Sequence, residues 1–273
     1  MFTPEELRSL LTDGRAEDAQ YVLGPDSLPR DDVPHGTVTR RTMVAPLTFP
    51  GITRVVHVYV PAQYEARESP VNLIVFLDGS THYLGPLTNA PTVLDNLIAQ
   101  GEIPPTIAVF VDPDPQMRPF EFSSLGDLFA RSLIDEMLPV LHEEFDITRD
   151  SAKRVICGIS AGAFAAFTVA WERPESFGNV ICHCGSFTDF GGADRYPSLI
   201  RRSSPRPIRV FLQGSVNDFQ SLRGDWELAS RMMASALKYR GYDHRLVIGE
   251  GGHNITHGGS IFPDTLRWIW PAS

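Results

Sequence analysis

Arg154-Val155-Ile156-Cys157-Gly158-Ile159-Ser160-Ala161-Gly162-Ala163-Phe164-Ala165-Ala166-Phe167-Thr168-Val169-Ala170 decides how this chain is read. An apolar run of strand character ends at Cys157 and an apolar run of helix character begins at Ala163. The pentapeptide Gly158-Ile159-Ser160-Ala161-Gly162 joins them. A serine on so tight a strand-to-helix turn is held in a strained backbone conformation, and glycines two residues to either side let strand and helix approach. The hydroxyl is then pushed out into a cleft. The same turn aims the Ala161 amide and the positive end of the following helix at the place where an oxyanion would form. Ser160 is therefore read as a nucleophile and Ala161 as an oxyanion donor.

Working outward, Leu73-Ile74-Val75-Phe76-Leu77 and Ile107-Ala108-Val109-Phe110-Val111 are short continuous apolar runs, as central parallel strands covered on both faces require. Ile208 to Leu212 and His244 to Ile248 continue the series, with helices expected at Pro91 to Gln100, Leu125 to Phe145, Asp225 to Tyr239 and Pro263 to Trp270. Two antiparallel leading strands, Thr37 to Pro46 and Thr53 to Val60, precede them. In the second, Val56, Val58 and Val60 alternate with His57 and Tyr59, which predicts one more exposed side. Residues 1–36 read as an N-terminal arm, amphipathic around Glu5 to Leu11 and then rich in Pro, Gly and Asp from Gly24 to Gly36. Residues 37–273 read as a single α/β domain, a doubly wound, mostly parallel sheet.

In such a sheet the catalytic groups gather where loops leave the carboxyl ends of strands. Gln213-Gly214-Ser215-Val216-Asn217-Asp218 follows one strand and Gly249-Glu250-Gly251-Gly252-His253 follows the last. Ser160, Asp218 and His253 thus occur in the order this architecture uses. An imidazole must take the serine proton and a carboxylate must hold that imidazole in the right tautomer, which assigns His253 as base and Asp218 as its partner. Asp225, Glu227 and Glu250 compete with Asp218, which lies closest to a strand end. His257, four residues beyond His253, would share a helical face with it and could join a metal site, but Gly251, Gly252, Gly258 and Gly259 argue against a helix there. No glutamate of a zinc-hydrolase motif stands between the two. His257 is expected to support the site or line its entrance.

A second oxyanion donor is expected from Asp78-Gly79-Ser80-Thr81, with the Ser80 amide first in line. Tyr83, Arg118 and Trp226, together with His82, Phe120 and Phe122, are candidates to face the cleft and contact substrate. Composition narrows the partners. The 273 residues carry a formal net charge of -9 without a basic run, which disfavours nucleic acid. The acidic N-terminus lacks the basic and apolar segments of a secretory signal, and no apolar stretch reaches membrane-spanning length, so a cytoplasmic protein is expected. Three cysteines, Cys157, Cys182 and Cys184, sit in apolar contexts, with Cys182 and Cys184 expected on one strand face as packing residues. No pattern in the chain marks an oligomer interface.

The chain resembles the esterase family of α/β-hydrolases that includes enterochelin (siderophore trilactone) esterases, feruloyl esterases and S-formylglutathione hydrolases. The resemblance runs from about Thr37 to Trp270 and is strongest to the enterochelin-esterase-like branch. It is carried by Phe122-Ser123-Ser124-Leu125-Gly126-Asp127, Phe167 to Pro174, Gly185-Ser186-Phe187-Thr188, Gly241-Tyr242-Asp243, Gly249 to His253 and His257-Gly258-Gly259. It implies an α/β-hydrolase fold and a Ser-acid-His hydrolase acting on a small-molecule ester without metal or organic cofactor, with the roles falling on Ser160, Asp218 and His253. One departure is Gln213-Gly214, where related sequences often have Asp-Gly; some siderophore esterases of this type work with a Ser-His pair alone. A siderophore lactone, a feruloyl or acetyl ester and an intracellular small ester all fit that chemistry. Acyl transfer to an alcohol or amine, and a non-catalytic binding protein of the same fold, are the competing readings.

Overall fold

The continuous apolar runs become strands because only a position covered on both faces tolerates unbroken Val, Ile, Leu and Phe. In the computed structural model, which describes residues 16–65 and 69–271, the strands in chain order are β1 (Thr37–Ala45), β2 (Phe49–Val60), β3 (Asn72–Leu77), β4 (Thr106–Val111), β5 (Arg154–Ile159), β6 (Asn179–His183), β7 (Arg209–Ser215), β8 (Gln220–Ser221), β9 (Gly224–Asp225) and β10 (His244–Gly249). Eight form one sheet in the order β1-β2-β4-β3-β5-β6-β7-β10, and β8-β9 is a small hairpin. β1 pairs antiparallel with β2 and β2 with β4; every other pair in the large sheet is parallel. This is the α/β-hydrolase architecture. The amphipathic pattern around Glu5 to Leu11 lies outside the described residues.

Alternating side chains of the sheet feed two separate cores. Leu73, Val75 and Leu77 pack with Phe164, Phe167, Met233 and Leu237 on one face. Ile74 and Phe76 pack with Val93, Leu97, Phe262 and Leu266 on the other. Each such fully buried side chain contributes about 1.5–3 kcal/mol relative to exposure. Helices Ala161–Glu172 and Trp226–Tyr239 therefore cover one face, and helices Ala90–Ala99 and Phe262–Ile269 the other. Asp225 is not part of its helix but caps it, accepting the Leu228 amide at 2.9 Å.

Several sequence expectations are corrected. Tyr59 is fully buried, because β2 lies inside the sheet and its second face is covered; the hydroxyl donates to Asp95 at 2.7 Å. The single helix expected over 125–145 is Leu128–Arg131 followed by a wider-wound stretch, Ser132–Met137, and then Leu138–Glu144. Pro139 explains the break in regularity, since it has no amide to give the carbonyl four residues back. Cys182 and Cys184 fall in opposite cores despite their spacing, because Cys184 lies beyond the end of β6 with φ at +44°. The three thiols are buried and free.

The order of strands reverses direction at β3, which has β4 on one side and β5 on the other. A crevice at the carboxyl ends of the strands follows from that reversal, and it is where β5, β7 and β10 deliver their loops. No helix among the described residues is long and apolar enough to cross a membrane.

Candidate active site

Ser160 follows β5 with φ 55° and ψ −121°, a conformation that costs roughly 1–3 kcal/mol for a residue with a side chain. The turn is held from several directions. The Ser160 amide donates to the His183 carbonyl at 2.9 Å, and the Ser160 carbonyl accepts from Ala163, Phe164 and Ser186, each at 3.1 Å. Gly158 is required by closeness, since a Cβ there would come within 2.3 Å of the Gly162 carbonyl. Ala161 opens the helix, so its amide has no carbonyl one turn back to bond.

Two loops bring partners to the hydroxyl. His253 Nε2 lies 2.9 Å from Ser160 Oγ, and His253 Nδ1 lies 2.5 Å from Asp218 Oδ1. A carboxylate can only accept, so the proton sits on Nδ1 and Nε2 of the neutral ring is free to accept from the serine. Asp218 Oδ1 also accepts the Phe219 amide at 2.7 Å, and the aspartate side chain is wholly buried. Its rivals are engaged elsewhere: Asp225 at the helix cap, Glu227 with Arg231, and Glu250 with Gln20. The three residues read from the sequence are thus brought together in one hydrogen-bonded line.

Trp226 and Tyr83 are not cleft-lining residues. Trp226 is fully buried behind the histidine, its ring edge-on to His253 at 6.1 Å between centroids. Its Nε1–H donates to Ser186 Oγ at 3.1 Å, and Ser186 Oγ lies 3.2 Å from Ser160 Oγ. Ser186 lies in the string Gly185 to Thr188 that carries the resemblance but was not singled out as a site residue; it arrives through the bend after β6. Tyr83 is buried on the other side of the sheet, with its hydroxyl 2.9 Å from His183 Nδ1. Phe122 is likewise core. His257 sits in a short helix, Thr256–Ser260, that takes in Gly258 and Gly259 but begins after His253, so the two histidines do not share a helical face. His257 is buried, stacks on Tyr21 at 4.2 Å and lies 3.1 Å from Gln213 Nε2, so it supports the histidine loop.

A cavity of about 650 Å³ is lined by Arg40, His57, Asp78, Ser80, His82, Asp112 and Arg118 among others; Ser160, Asp218 and His253 do not line it, and Asp78 connects it to the serine turn. Arg118 grips Asp78 with two bonds of 2.9 and 2.6 Å, and Asp78 takes the left-handed conformation, φ 54°, that starts the next turn. The Asp78 carboxylate also reaches the elbow, 3.2 Å from where a Gly162 Cβ would stand. Burial lowers the His82 pKa against the pull of Asp78, with the charges of Arg118 and His253 adding to the fall. The Ser80 amide is not free as expected; it donates to Asp112 Oδ1 at 3.0 Å.

Cys184 Sγ, Asp218 and His253 have ligand atoms within 4.8 Å of one another, close enough for a metal ion. The donor set suits one poorly. Burial, reinforced by the Asp218 charge, raises the Cys184 pKa well above that of an ordinary thiol, and its Sγ bonds the Asn254 carbonyl at 3.5 Å. His253 Nδ1 and Asp218 Oδ1 are also spent on each other at 2.5 Å, with a shared proton where a metal would have to enter.

The family described as "Putative esterase" matches residues 50–256. An endo-1,4-beta-xylanase/feruloyl esterase of Xylanibacter ruminicola is 29% identical over 160 residues, 55% of this chain; the match spans only 22% of that longer protein. The protein YbbA of Bacillus subtilis is 22% identical over 78% of this chain and 90% of its own. Among solved structures, a ferulic acid esterase superposes with a TM-score of 0.72 at 16% identity, covering 88% of this chain and all of that one. The enterobactin esterase FES of Shigella flexneri, in the presence of enterobactin, gives 0.73 at 19% identity, over 88% of this chain and 61% of that one. The chain belongs to the esterase family matched over residues 50–256 and has the α/β-hydrolase fold.

Proposed function

We propose that the protein hydrolyses small polar carboxylic esters through an acyl-enzyme on Ser160. The observation that carries the reading is the unbroken line Ser160 Oγ, His253 Nε2, His253 Nδ1, Asp218 Oδ1, with steps of 2.9 and 2.5 Å, on a serine held at φ 55°. Ser160 Oγ attacks the ester carbonyl as its proton passes to His253 Nε2, and the buried Asp218 carboxylate stabilises the imidazolium so formed. The oxyanion takes the Ala161 amide. Ser80 supplies the second donor by exchanging Asp112 for the oxyanion. His253 then hands its proton to the departing alkoxide, and water, activated by the same nitrogen, releases the acid.

The cavity that reaches toward the elbow through Asp78 and the Ser80 loop is of small-molecule size and carries both charges and neutral hydrogen-bonding groups, with the His82 pKa lowered by burial. Such a lining favours a polar, hydroxyl-bearing acyl or alcohol group over a long alkyl chain. Feruloyl esters and a ferric siderophore trilactone are the first substrates to assay, beside chromogenic acetate, butyrate and octanoate esters. The expected result is turnover of short or polar esters well above octanoate, water as the acyl acceptor even with added alcohol, and none in Ser160→Ala. Activity like that of the wild type in folded Ser160→Ala overturns the mechanism.

A further inference from the structure

The histidine loop, residues 249–254, is held on one side by the chain after β7: the Val216 amide donates to the Gly249 carbonyl at 2.8 Å, and Ser215 Oγ donates to the Gly251 carbonyl. Its other side is held from far away in sequence. Asp18, buried in the short helical turn Ala16–Gln20, accepts the Gly252 amide on Oδ1 at 3.0 Å and the Asn254 side-chain amide on Oδ2 at 2.7 Å. One carboxylate thereby grips the residues immediately before and after His253. Tyr21 adds a third tie, its hydroxyl accepting the Glu250 amide at 2.6 Å while its ring stacks on His257.

Two of the loop glycines are fitted to this contact by closeness rather than by backbone conformation. None of Gly249, Gly251 and Gly252 has a positive φ, so none is needed for a left-handed turn. A Cβ on Gly251 would stand 2.4 Å from Asp18 Oδ1, and one on Gly249 2.3 Å from His257 Nδ1 and 2.5 Å from the hydroxyl of Tyr21, whose ring stacks against that imidazole. Both positions are emptied of side chain where the N-terminal segment lies against them.

We propose that Asp18, seconded by Tyr21, is a positioning residue for the reaction: the N-terminal arm holds the His253 loop so that Nε2 stays within reach of Ser160 Oγ. The inference rests on His253 acting as the base at Ser160. Without Asp18 the amides that flank His253 turn to water, the loop gains freedom, and the imidazole leaves its productive position for part of the time. Displacement of a catalytic group by about 1 Å costs on the order of 100-fold.

The test compares Asp18→Ala, Asp18→Asn and Tyr21→Phe in the full chain, measuring kcat and KM on a chromogenic acetate ester, the rate of fluorophosphonate labelling of Ser160, and Tm. Asp18→Ala is expected to lower kcat and labelling rate together by about 30- to 100-fold with KM within about twofold. Asp18→Asn, which keeps an acceptor for the Gly252 amide, recovers much of that loss, and Tyr21→Phe lowers kcat about fivefold while leaving the ring stack. A kcat in Asp18→Ala within about twofold of wild type overturns the proposal. So does a loss that tracks only the fraction of folded protein and is not recovered by Asn. If Asp18→Ala fails to fold, Tyr21→Phe decides, and an unchanged kcat there counts against the arm. Failure of the wild type itself to label at Ser160 would fail the serine-hydrolase reading instead, which keeps the two failures apart.

Discussion

Asp218→Asn separates the charge of the acid from its shape. The amide oxygen can still accept from both His253 Nδ1 and the Phe219 amide, which now share Oδ1 at 2.5 and 2.7 Å, so the ring should keep its place. What disappears is the negative charge opposite the imidazolium that forms during attack. With the aspartate side chain fully buried and the histidine side chain 12% exposed, solvent screens the pair weakly. At about 4 Å between charge centres and an effective dielectric near 20, the lost attraction is about 4 kcal/mol. Dividing by about 1.36 kcal/mol per decade gives a fall in kcat of about 10³-fold from charge alone, roughly tenfold less than the cost of about 10⁴-fold that the same Asp→Asn change carries where the ring tautomer is also lost. Steady-state kinetics on a chromogenic acetate ester measure it, with KM expected to move less than about threefold. Glu227→Gln, which loses only the pair with Arg231, is the control and should leave kcat unchanged. A fall smaller than about tenfold in Asp218→Asn would refute the reasoning and leave a Ser-His pair as the working unit.

Other consequences concern the scaffold. Burial first, and then the charges of His257 and His82, depress the His183 pKa to about 3, so the fold binds the neutral ring. Stability from this group is complete above pH 6.5 and is lost as pH falls toward 3, by about 4–5 kcal/mol in total; chemical denaturation at pH 7, 5.5 and 4.5 should show it, with a shallower slope in His183→Gln. Gly158→Ala puts a methyl 2.3 Å from the Gly162 carbonyl and should prevent accumulation of folded protein, whereas Gly162→Ala meets Asp78 Oδ2 at 3.2 Å and should fold with a lower Tm. Ser186→Ala removes the hydroxyl that accepts from Trp226 Nε1–H and should cost about 0.5–1.5 kcal/mol by urea titration. Asp225→Ala removes the cap of helix Trp226–Tyr239 and should cost about 0.5–2 kcal/mol without loss of kcat.

The positions of Ser160 and His253, proposed as nucleophile and base, were legible because their constraints are local: a serine between two glycines at a strand-helix junction, and a histidine a few residues past a strand. Asp218 was legible for the same reason, lying just beyond β7. The parallel strands could be read from their unbroken apolar runs, since burial on both faces leaves no room for alternation. Tyr83 and Trp226 were misread because an aromatic near a strand end looks the same in sequence whether it lines a cleft or fills the layer behind it. Ser186 depends on the bend at Cys184, where a non-glycine residue takes φ 44° for tertiary reasons. Ser80 carries the right loop, but its amide is shared with Asp112, thirty-two residues away. In sequence Gly251 and Gly252 argue against a helix, and the structure adds a steric reason at two positions: Gly251 admits Asp18, and Gly249 admits His257 and Tyr21. Contacts across more than two hundred residues leave no periodicity or motif from which to infer them.

The central claim is that Ser160 is a nucleophile powered by His253. Treatment of the folded protein with a fluorophosphonate probe, read by intact mass and peptide mapping, tests it most directly. One adduct on the peptide containing Ser160, absent in Ser160→Ala and greatly slowed in His253→Ala, is the result this account predicts. A folded wild-type protein that turns over esters but carries no adduct at Ser160 would contradict it.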